Sequence, residues 1–121
     1  MEVIGTRARK LPAPPHVVWR SLAVPDEPRA RPWLAPALLA DEVVPQVLEA
    51  DEPRGLVWST LWPHRPDDRI LLETGAAPGG DTRLRFTHLT PHPLPPEATV
   101  GHLRRRVNHL LFADLRFSYG G

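Results

Sequence analysis

The chain has 121 residues and 41% apolar content, which is typical of a folded protein despite its 16 prolines, and its length suits one domain over residues 1–121. It contains no cysteine, which excludes disulfides, thiol nucleophiles and zinc sites built on cysteine. The formal net charge is only +1, with bases and acids interleaved, so we expect no nucleic-acid partner.

The N-terminal third predicts a strand followed by a short helix. Residues 3–10 alternate in polarity as a strand does, and the prolines that follow Leu11 end it because proline cannot donate to a ladder. Residues 16–23 carry Val18, Trp19 and Leu22 at helical spacing, so we expect a helix of about two turns with Trp19 in the core. A second short turn is expected within residues 29–36, anchored by Trp33 and Leu34.

The middle of the chain predicts a meander of antiparallel strands. Strand patterns cover residues 41–50, 55–62, 69–74 and 82–90, and the segments between them are rich in proline, glycine and aspartate. Pro45 places the first of these strands at an edge or a bulge.

The C-terminal segment predicts one long amphipathic helix over residues 97–119, ended by Gly120. Its apolar residues cluster on one face at 100° per residue, and they are Val100, Leu103, Val107, Leu110, Leu111 and Phe117. Asp114 falls within this stripe, where a carboxylate is costly unless it is paired. Arg7, Arg9 or Arg116 could pair with it in a clip that holds the helix to the sheet; alternatively, Asp114 is a polar anchor at one end of the cavity.

This order of elements resembles the SRPBCC superfamily, also called START-like or Bet v 1-like. The resemblance lies in residues 11–19 (LPAPPHVVW), in Trp33-Leu34, in the glycine turn before residues 82–87 (TRLRFT), and in residues 104–108 (RRRVN) and 114–116 (DLR). It implies an α+β helix-grip fold, in which a curved antiparallel sheet of about five strands surrounds the long C-terminal helix, and a bacterial source. The chain is shorter than larger members, which have five or six strands after the short helices where this chain has room for about four.

Strand parity and helix phase together predict which side chains face the space between sheet and helix. The predicted lining is Trp58, Trp62, Leu84, Phe86, His88, Val107, Leu111 and Asp114, with His88 and Asp114 as polar contacts of a mostly apolar guest. The same residues could instead pack together as an ordinary core.

The histidines do not indicate a metal site. His88 and His92 are four residues apart, but they span a strand end and a proline-rich loop, and no third ligand accompanies them. The sequence therefore predicts no metal and no cofactor. If the chain catalyses a reaction, the acid–base candidates are His88, His64 and Asp114.

Three functions are compatible with these observations. The first is the binding of a small hydrophobic molecule between sheet and helix; the second is an enzyme resembling polyketide cyclases or aromatases; the third is an interaction module resembling chaperone activators, which uses its outer surface. An open apolar pocket would favour the first two, and a filled core the third.

We expect a cytoplasmic protein without a membrane span, because neither a signal peptide nor a long apolar run is present. The sequence leaves open whether the protein forms a homodimer.

Overall fold

A computed structural model of the chain describes residues 1–27 and 32–120. Five strands form one antiparallel sheet: β1 (Glu2–Leu11), β2 (Val47–Asp51), β3 (Gly55–Ser59), β4 (Arg69–Ala76) and β5 (Thr82–Thr90). The order across the sheet is β1-β5-β4-β3-β2, so that β1 and β2 are its two edges. The five-stranded sheet is confirmed.

Helix α1 (Pro15–Ala23) follows β1, and the C-terminal helix follows β5. The C-terminal helix consists of α2 (Glu97–His109), a π-helical segment (Leu110–Leu115) and a last α-helical turn, α3 (Arg116–Ser118), in continuous sequence. The helices pack on one face of the sheet, as the helix-grip fold requires. Within residues 1–27 and 32–120, no helix is both long and apolar enough to cross a membrane.

Proline and glycine set the element boundaries. Pro15 starts α1 at its first helical position, where its missing N–H costs no hydrogen bond. The turn before β5 places Gly79 and Gly80 at φ 78°, a backbone region that other residues rarely adopt. β5 then covers residues 82–90, as predicted from its alternation.

Two predicted strands are shorter in the structure. The first begins at Val47 and not at residue 41, because the chain turns between Leu39 and Glu42 and Pro45 interrupts the pattern. The second ends at Ser59, where the Thr60 hydroxyl accepts a hydrogen bond from the Trp62 amide and donates one to the Trp62 carbonyl. Alternation is lost beyond that point, and Leu61 and Trp62 are both buried.

The helical part of residues 32–40 is a 3₁₀ turn at Ala35–Ala37, and Trp33 and Leu34 are buried just before it. The beginning of the predicted turn, residues 29–31, lies outside the described residues.

Trp19 is only half-buried, and its indole donates to the Gly55 carbonyl at 2.9 Å. Trp19 therefore packs against the core, as predicted, but at its margin, whereas Trp58 and Trp62 are fully buried within it.

Candidate functional site

The layer between sheet and helices brings together seven of the eight predicted site residues. Each of these seven is no more than 1% exposed: Trp58, Trp62, Leu84, Phe86, His88, Val107 and Leu111. The six apolar ones belong to one continuous core with Leu22, Leu34 and Leu103. Parity identified the buried face of β3 and β5, and helix phase that of α2, whereas Trp62 is buried beyond the end of β3, where strand parity no longer applies. Whether these residues bind a ligand stays a prediction.

Aromatic rings in this layer stack on one another. Trp62 lies parallel to His88, with centroids 5.6 Å apart and an interplanar angle of 13°. Trp58 stacks on Trp33 at 6.3 Å, and its indole donates to the Leu22 carbonyl at 2.9 Å. These contacts fill the central region and join α1 to the sheet, so the aromatic wall predicted from the sequence is packed and closed.

A buried polar cluster surrounds His88. Nε2 of His88 lies 2.9 Å from Oδ2 of Asp68, and the guanidinium of Arg65 donates to the same carboxylate oxygen at 2.7 Å. The side chains of His88 and Asp68 are almost completely enclosed, and that of Arg65 is 16% exposed. Burial lowers the pKa of His88 below its ordinary value, and the hydrogen bond and charge of Asp68 oppose this shift without reversing it. The imidazole is therefore neutral near pH 7 and donates from Nε2 to Asp68, which leaves Nδ1 as an acceptor.

The sequence analysis missed Asp68 and Arg65. Both lie three residues apart just before β4, in a segment whose prolines and aspartates predict only a turn. An arginine and an aspartate three residues apart can form an ion pair, and this spacing could have drawn attention to them. The local pattern does not indicate that the turn brings Asp68 into the interior, next to His88.

Two buried ring nitrogens of this cluster, Nε1 of Trp62 and Nδ1 of His88, have no hydrogen-bond partner among the described residues, and Oδ1 of Asn108 on α2 also lacks one. An indole N–H can only donate, whereas Nδ1 of a neutral His88 can only accept. Each ring nitrogen directs its hydrogen bond in the plane of its own ring, so neither atom is satisfied by the stacking of Trp62 on His88.

The expectation that Asp114 faces the interior is wrong. Its carboxylate bonds Nδ1 of His109 at 3.0 Å, and its side chain is 28% exposed. The reason is the π-helical segment, which has more residues per turn than an α-helix and so changes the phase of every residue after it. Leu115 becomes buried in place of Asp114, and Phe117, also predicted to face inward, is 62% exposed.

The sequence suggested a buried ion pair between Asp114 and an arginine; the structure forms such a pair between Glu42 and Arg106 instead. The guanidinium of Arg106 donates to both carboxylate oxygens, at 2.7 and 2.9 Å, and to the Ala37 carbonyl at 3.1 Å. The amide of Leu39 donates to Glu42 at 2.8 Å. Burial by itself would raise the pKa of Glu42, but the hydrogen bonds from Arg106 and Leu39 outweigh it, so this pKa is lowered. The clip fastens the C-terminal helix to residues 35–42.

The described cavities lie outside the sheet–helix layer. One of about 410 Å³ is on the outer side of β2, β3 and β4, bordered by Val57, Leu71 and Glu73. Two others, of about 370 and 220 Å³, flank Trp33 beside the end of the C-terminal helix, and Asp114 borders the smaller one. His88 lines none of these three cavities.

The other candidate histidines also lie apart from the interior. His64 is exposed, and His92 bonds Asp67 at the surface, whereas His88 bonds Asp68 inside. No group of three or more potential metal ligands is found in the described part of the chain.

Exposed apolar side chains concentrate before and within the edge strand β2. Five of them, each 38–46% exposed, form what we call the β2-edge apolar band: Leu39, Val43, Val44, Val47 and Leu48. All five residues of β2 are exposed. Such a run is more than the isolated apolar side chains that any soluble protein surface carries.

The chain resembles proteins of known structure in its fold, although its sequence matches none of the families or curated proteins compared. No protein-family model matches it, and its sequence has no significant match among curated proteins. The Aha1 dimer from Colwellia psychrerythraea has a TM-score of 0.66 at 15% identity, covering 96% of this chain and 94% of that one. Ara h 8.0201 gives 0.64 at 16% identity over 97% of each chain. CalU16 from Micromonospora echinospora gives 0.60 at 20% identity over 88% of this chain and 70% of that one. These similarities, with the sheet and helices described above, show that the chain has the Bet v 1-like helix-grip fold.

Proposed function

We propose that this chain is a protein-interaction module that contacts its partner through its outer surface. The observation that carries this proposal is the filled interior. The side chains predicted to line a ligand cavity pack against one another, with Trp58, Trp62 and Phe86 at most 1% exposed. A drug-sized guest needs a cavity of roughly 300–1,000 Å³, and the described cavities of that size lie on the outside.

The β2-edge apolar band supports a protein partner. Its side chains are aliphatic and partly exposed, and they lie on β2, whose outer edge is unpaired, and on the segment just before it. Burying such a surface against another chain removes apolar area from water, which is the main favourable term in protein association. The dimer recorded for the Aha1 neighbour makes a second copy of this chain one partner to test.

The filled interior can be tested with small apolar probes, followed by tryptophan fluorescence. We expect no binding to the wild-type protein. Phe86→Ala should acquire binding, because removing a fully buried aromatic ring leaves a dry apolar cavity. Saturable binding to the wild type that Phe86→Ala abolishes would overturn the proposal and support a ligand carrier.

The interaction surface can be tested by placing a photo-cross-linking residue at Val44 and, as a matched control, at Leu94, which is equally exposed but outside the band. Cross-linking from Val44 that is lost in Val47→Glu is the expected result. If Val44 and Leu94 cross-link to the same extent, the band is not the interface. Sedimentation velocity of the purified protein separates a second copy from a different partner.

A second candidate is the binding of a small, mostly hydrophobic molecule between sheet and helix. The unpartnered Nε1 of Trp62 and Nδ1 of His88 favour it, because the polar groups of a guest could supply the hydrogen bonds that these buried atoms lack. The apolar contacts would come from Trp58, Leu84, Phe86, Val107 and Leu111. This candidate requires the packed layer to open, and the probe titration above decides between it and the interaction module.

A further inference from the structure

The edge strand β1 carries a row of basic side chains along its helix-facing rim. Arg7 and Arg9 are register partners of Phe86 and Leu84 on β5, and directly opposite residues of an antiparallel pair share a face. Phe86 and Leu84 are fully buried, yet Arg7 and Arg9 are exposed, because β1 is the last strand and their side chains extend beyond the packed layer.

Arg104 of the C-terminal helix extends this row. Gly5, the partner of His88, leaves room for the Arg104 side chain, since a Cβ on Gly5 would lie 2.9 Å from Cγ of Arg104. Three arginines therefore lie along β1: Arg7 and Arg9 on the strand itself, and Arg104, whose aliphatic stem crosses Gly5. Alternate residues of a strand are about 7 Å apart. We call these three arginines the β1 rim.

The arginines of the β1 rim form no ion pair with any residue that the structure describes, whereas five other basic residues pair with carboxylates: Lys10, Arg20, Arg54, Arg65 and Arg106. Three exposed, unpaired positive charges along one edge attract an anionic partner.

The backbone beside the rim is also available. Strand β1 is ten residues long and pairs only with β5. Apart from that ladder, residues 2–10 make no backbone hydrogen bond with any described residue. An antiparallel edge strand presents every second residue's N–H and C=O outward, and an extended peptide can pair with them.

We infer that β1 binds an extended acidic segment of another protein as a sixth strand, with carboxylates at alternate positions facing Arg7, Arg9 and Arg104. The carboxylates are placed at alternate positions because residues i and i+2 of the added strand have the same spacing as Arg7 and Arg9 on β1. A free edge backbone favours a peptide over a nucleic acid, which would use the charges but not the main-chain groups. The other edge, β2, carries Glu49 and Asp51 and would repel the same segment.

This inference rests on the proposed function only in that the partner is a protein, and it concerns a surface separate from the β2-edge apolar band. The probe is a capped eight-residue peptide with glutamate at alternate positions and threonine between them. Two controls have related chemistry: a peptide of the same composition with its glutamates consecutive, and the alternating peptide with N-methylated backbone. A single-stranded oligonucleotide of matched charge tests for a general polyanion site.

Binding is measured by fluorescence anisotropy, and hydrogen exchange reports which strand is protected. We expect the alternating peptide to bind and to slow exchange within residues 6–10. Arg9→Glu or Arg7→Glu should weaken binding about tenfold, the scale of one lost charge-assisted contact. Arg83→Glu and Arg105→Glu are the matched controls: Arg83 lies on the opposite face of the sheet as the partner of Lys10, and Arg105 is the neighbour of Arg104 on the helix. Both should leave the affinity within about twofold, since screened distant charges contribute little.

Four results would overturn the inference: no binding of the alternating peptide, equal binding of the N-methylated peptide, equal loss in Arg83→Glu, or protection of β2 instead of β1. Tighter binding of the oligonucleotide without protection of β1 would indicate a nucleic-acid surface. Protection of β1 that grows with protein concentration alone would indicate pairing with a second copy. Each of these outcomes concerns the β1 edge, whereas the proposed function fails only in the probe and cross-linking experiments described above.

Discussion

The ion pair between Arg106 and Glu42 allows a quantitative prediction about what holds the C-terminal helix in place. The carboxylate of Glu42 is completely enclosed and the side chain of Arg106 is 14% exposed, so the pair is buried rather than superficial. Removing one partner of a buried pair costs about 3–5 kcal/mol because the other charge is left uncompensated. Since Arg106 retains some solvent and its bond to the Ala37 carbonyl, we expect the lower end of this range.

Glu42→Gln removes the charge and keeps the shape of the side chain. We expect it to lower the free energy of unfolding at pH 7 by about 3 kcal/mol, which corresponds to about 10 °C in Tm for a domain of this size. Arg106→Met should cost a similar amount, and the double variant should cost at least about 2 kcal/mol less than the sum of the single ones. Thermal and urea unfolding followed by circular dichroism measure all four proteins.

The same pair makes a pH prediction with a defined sign. The pKa of Glu42 is lowered in the folded protein from an ordinary value of 4.5, so its contribution is present above 4.5 and is lost as the pH falls through the lowered pKa. Glu42→Gln should lack this part of the acid destabilisation. Asp51→Asn is the control, because the pair of Asp51 with Arg54 is exposed and should contribute little. If Glu42→Gln lowers Tm no more than Asp51→Asn does, or if the single costs simply add, the clip does not stabilise the helix.

Three further predictions concern glycine, histidine and tryptophan. Gly55→Ala should cost about 1–3 kcal/mol, because its Cβ would lie 2.5 Å from the Leu72 carbonyl oxygen, whereas Gly75→Ala, with nothing within 4 Å, should not destabilise; the opposite order in urea unfolding would contradict this. In an NMR titration His88 should protonate below its ordinary pKa of 6.5, so its contribution to stability is present above pH 6.5 and is lost as the pH falls through the lowered pKa; titration at or above 6.5 would show that it is not enclosed. Trp58→Ala should cost about 3–5 kcal/mol and the half-buried Trp19→Ala clearly less, and equal losses on thermal unfolding would show that the burial is misassigned.

Strand β5 shows what the sequence could predict. Its nine residues alternate without exception between fully buried positions and positions that are exposed or partly buried. The glycines before it mark where the strand begins. Because the alternation is a property of the backbone itself, it fixes which side chains face the helix. Leu84, Phe86 and His88 were placed correctly by this rule alone.

The start of β2 shows what alternation could not predict. Val43 and Val44 suggest that a strand starts near residue 41, yet Glu42 turns inward to meet Arg106, which lies 64 positions later in the chain. A long-range ion pair has no local signature, and here it decides that the chain turns where its pattern indicates extension. The exposed valines of the β2-edge apolar band are the consequence.

The phase of the C-terminal helix failed for a related reason. Projection at 100° per residue assumes an uninterrupted α-helix, and it placed Val107 and Leu111 correctly on the buried face. The π-helical segment at Leu110–Leu115 then shifted the phase, so that Asp114 and Phe117 moved outward and Leu115 inward. Leu115 was available as an apolar residue one position beyond Asp114, and a stripe that contained a carboxylate was itself a sign that the period had changed.

The distance between sheet and helix determines whether one set of side chains lines a cavity or fills a core, and periodicity does not encode that distance. Trp58, Trp62 and Phe86 face the helix in either case. Protein interiors are packed as densely as organic crystals, so large rings close the layer wherever the helix can approach the sheet. In this chain Gly5 permits a close approach at β1, and the Arg106–Glu42 clip fixes the helix from the other side. With the layer filled, the β2-edge apolar band and the β1 rim are the two exposed features at which we propose that partners bind.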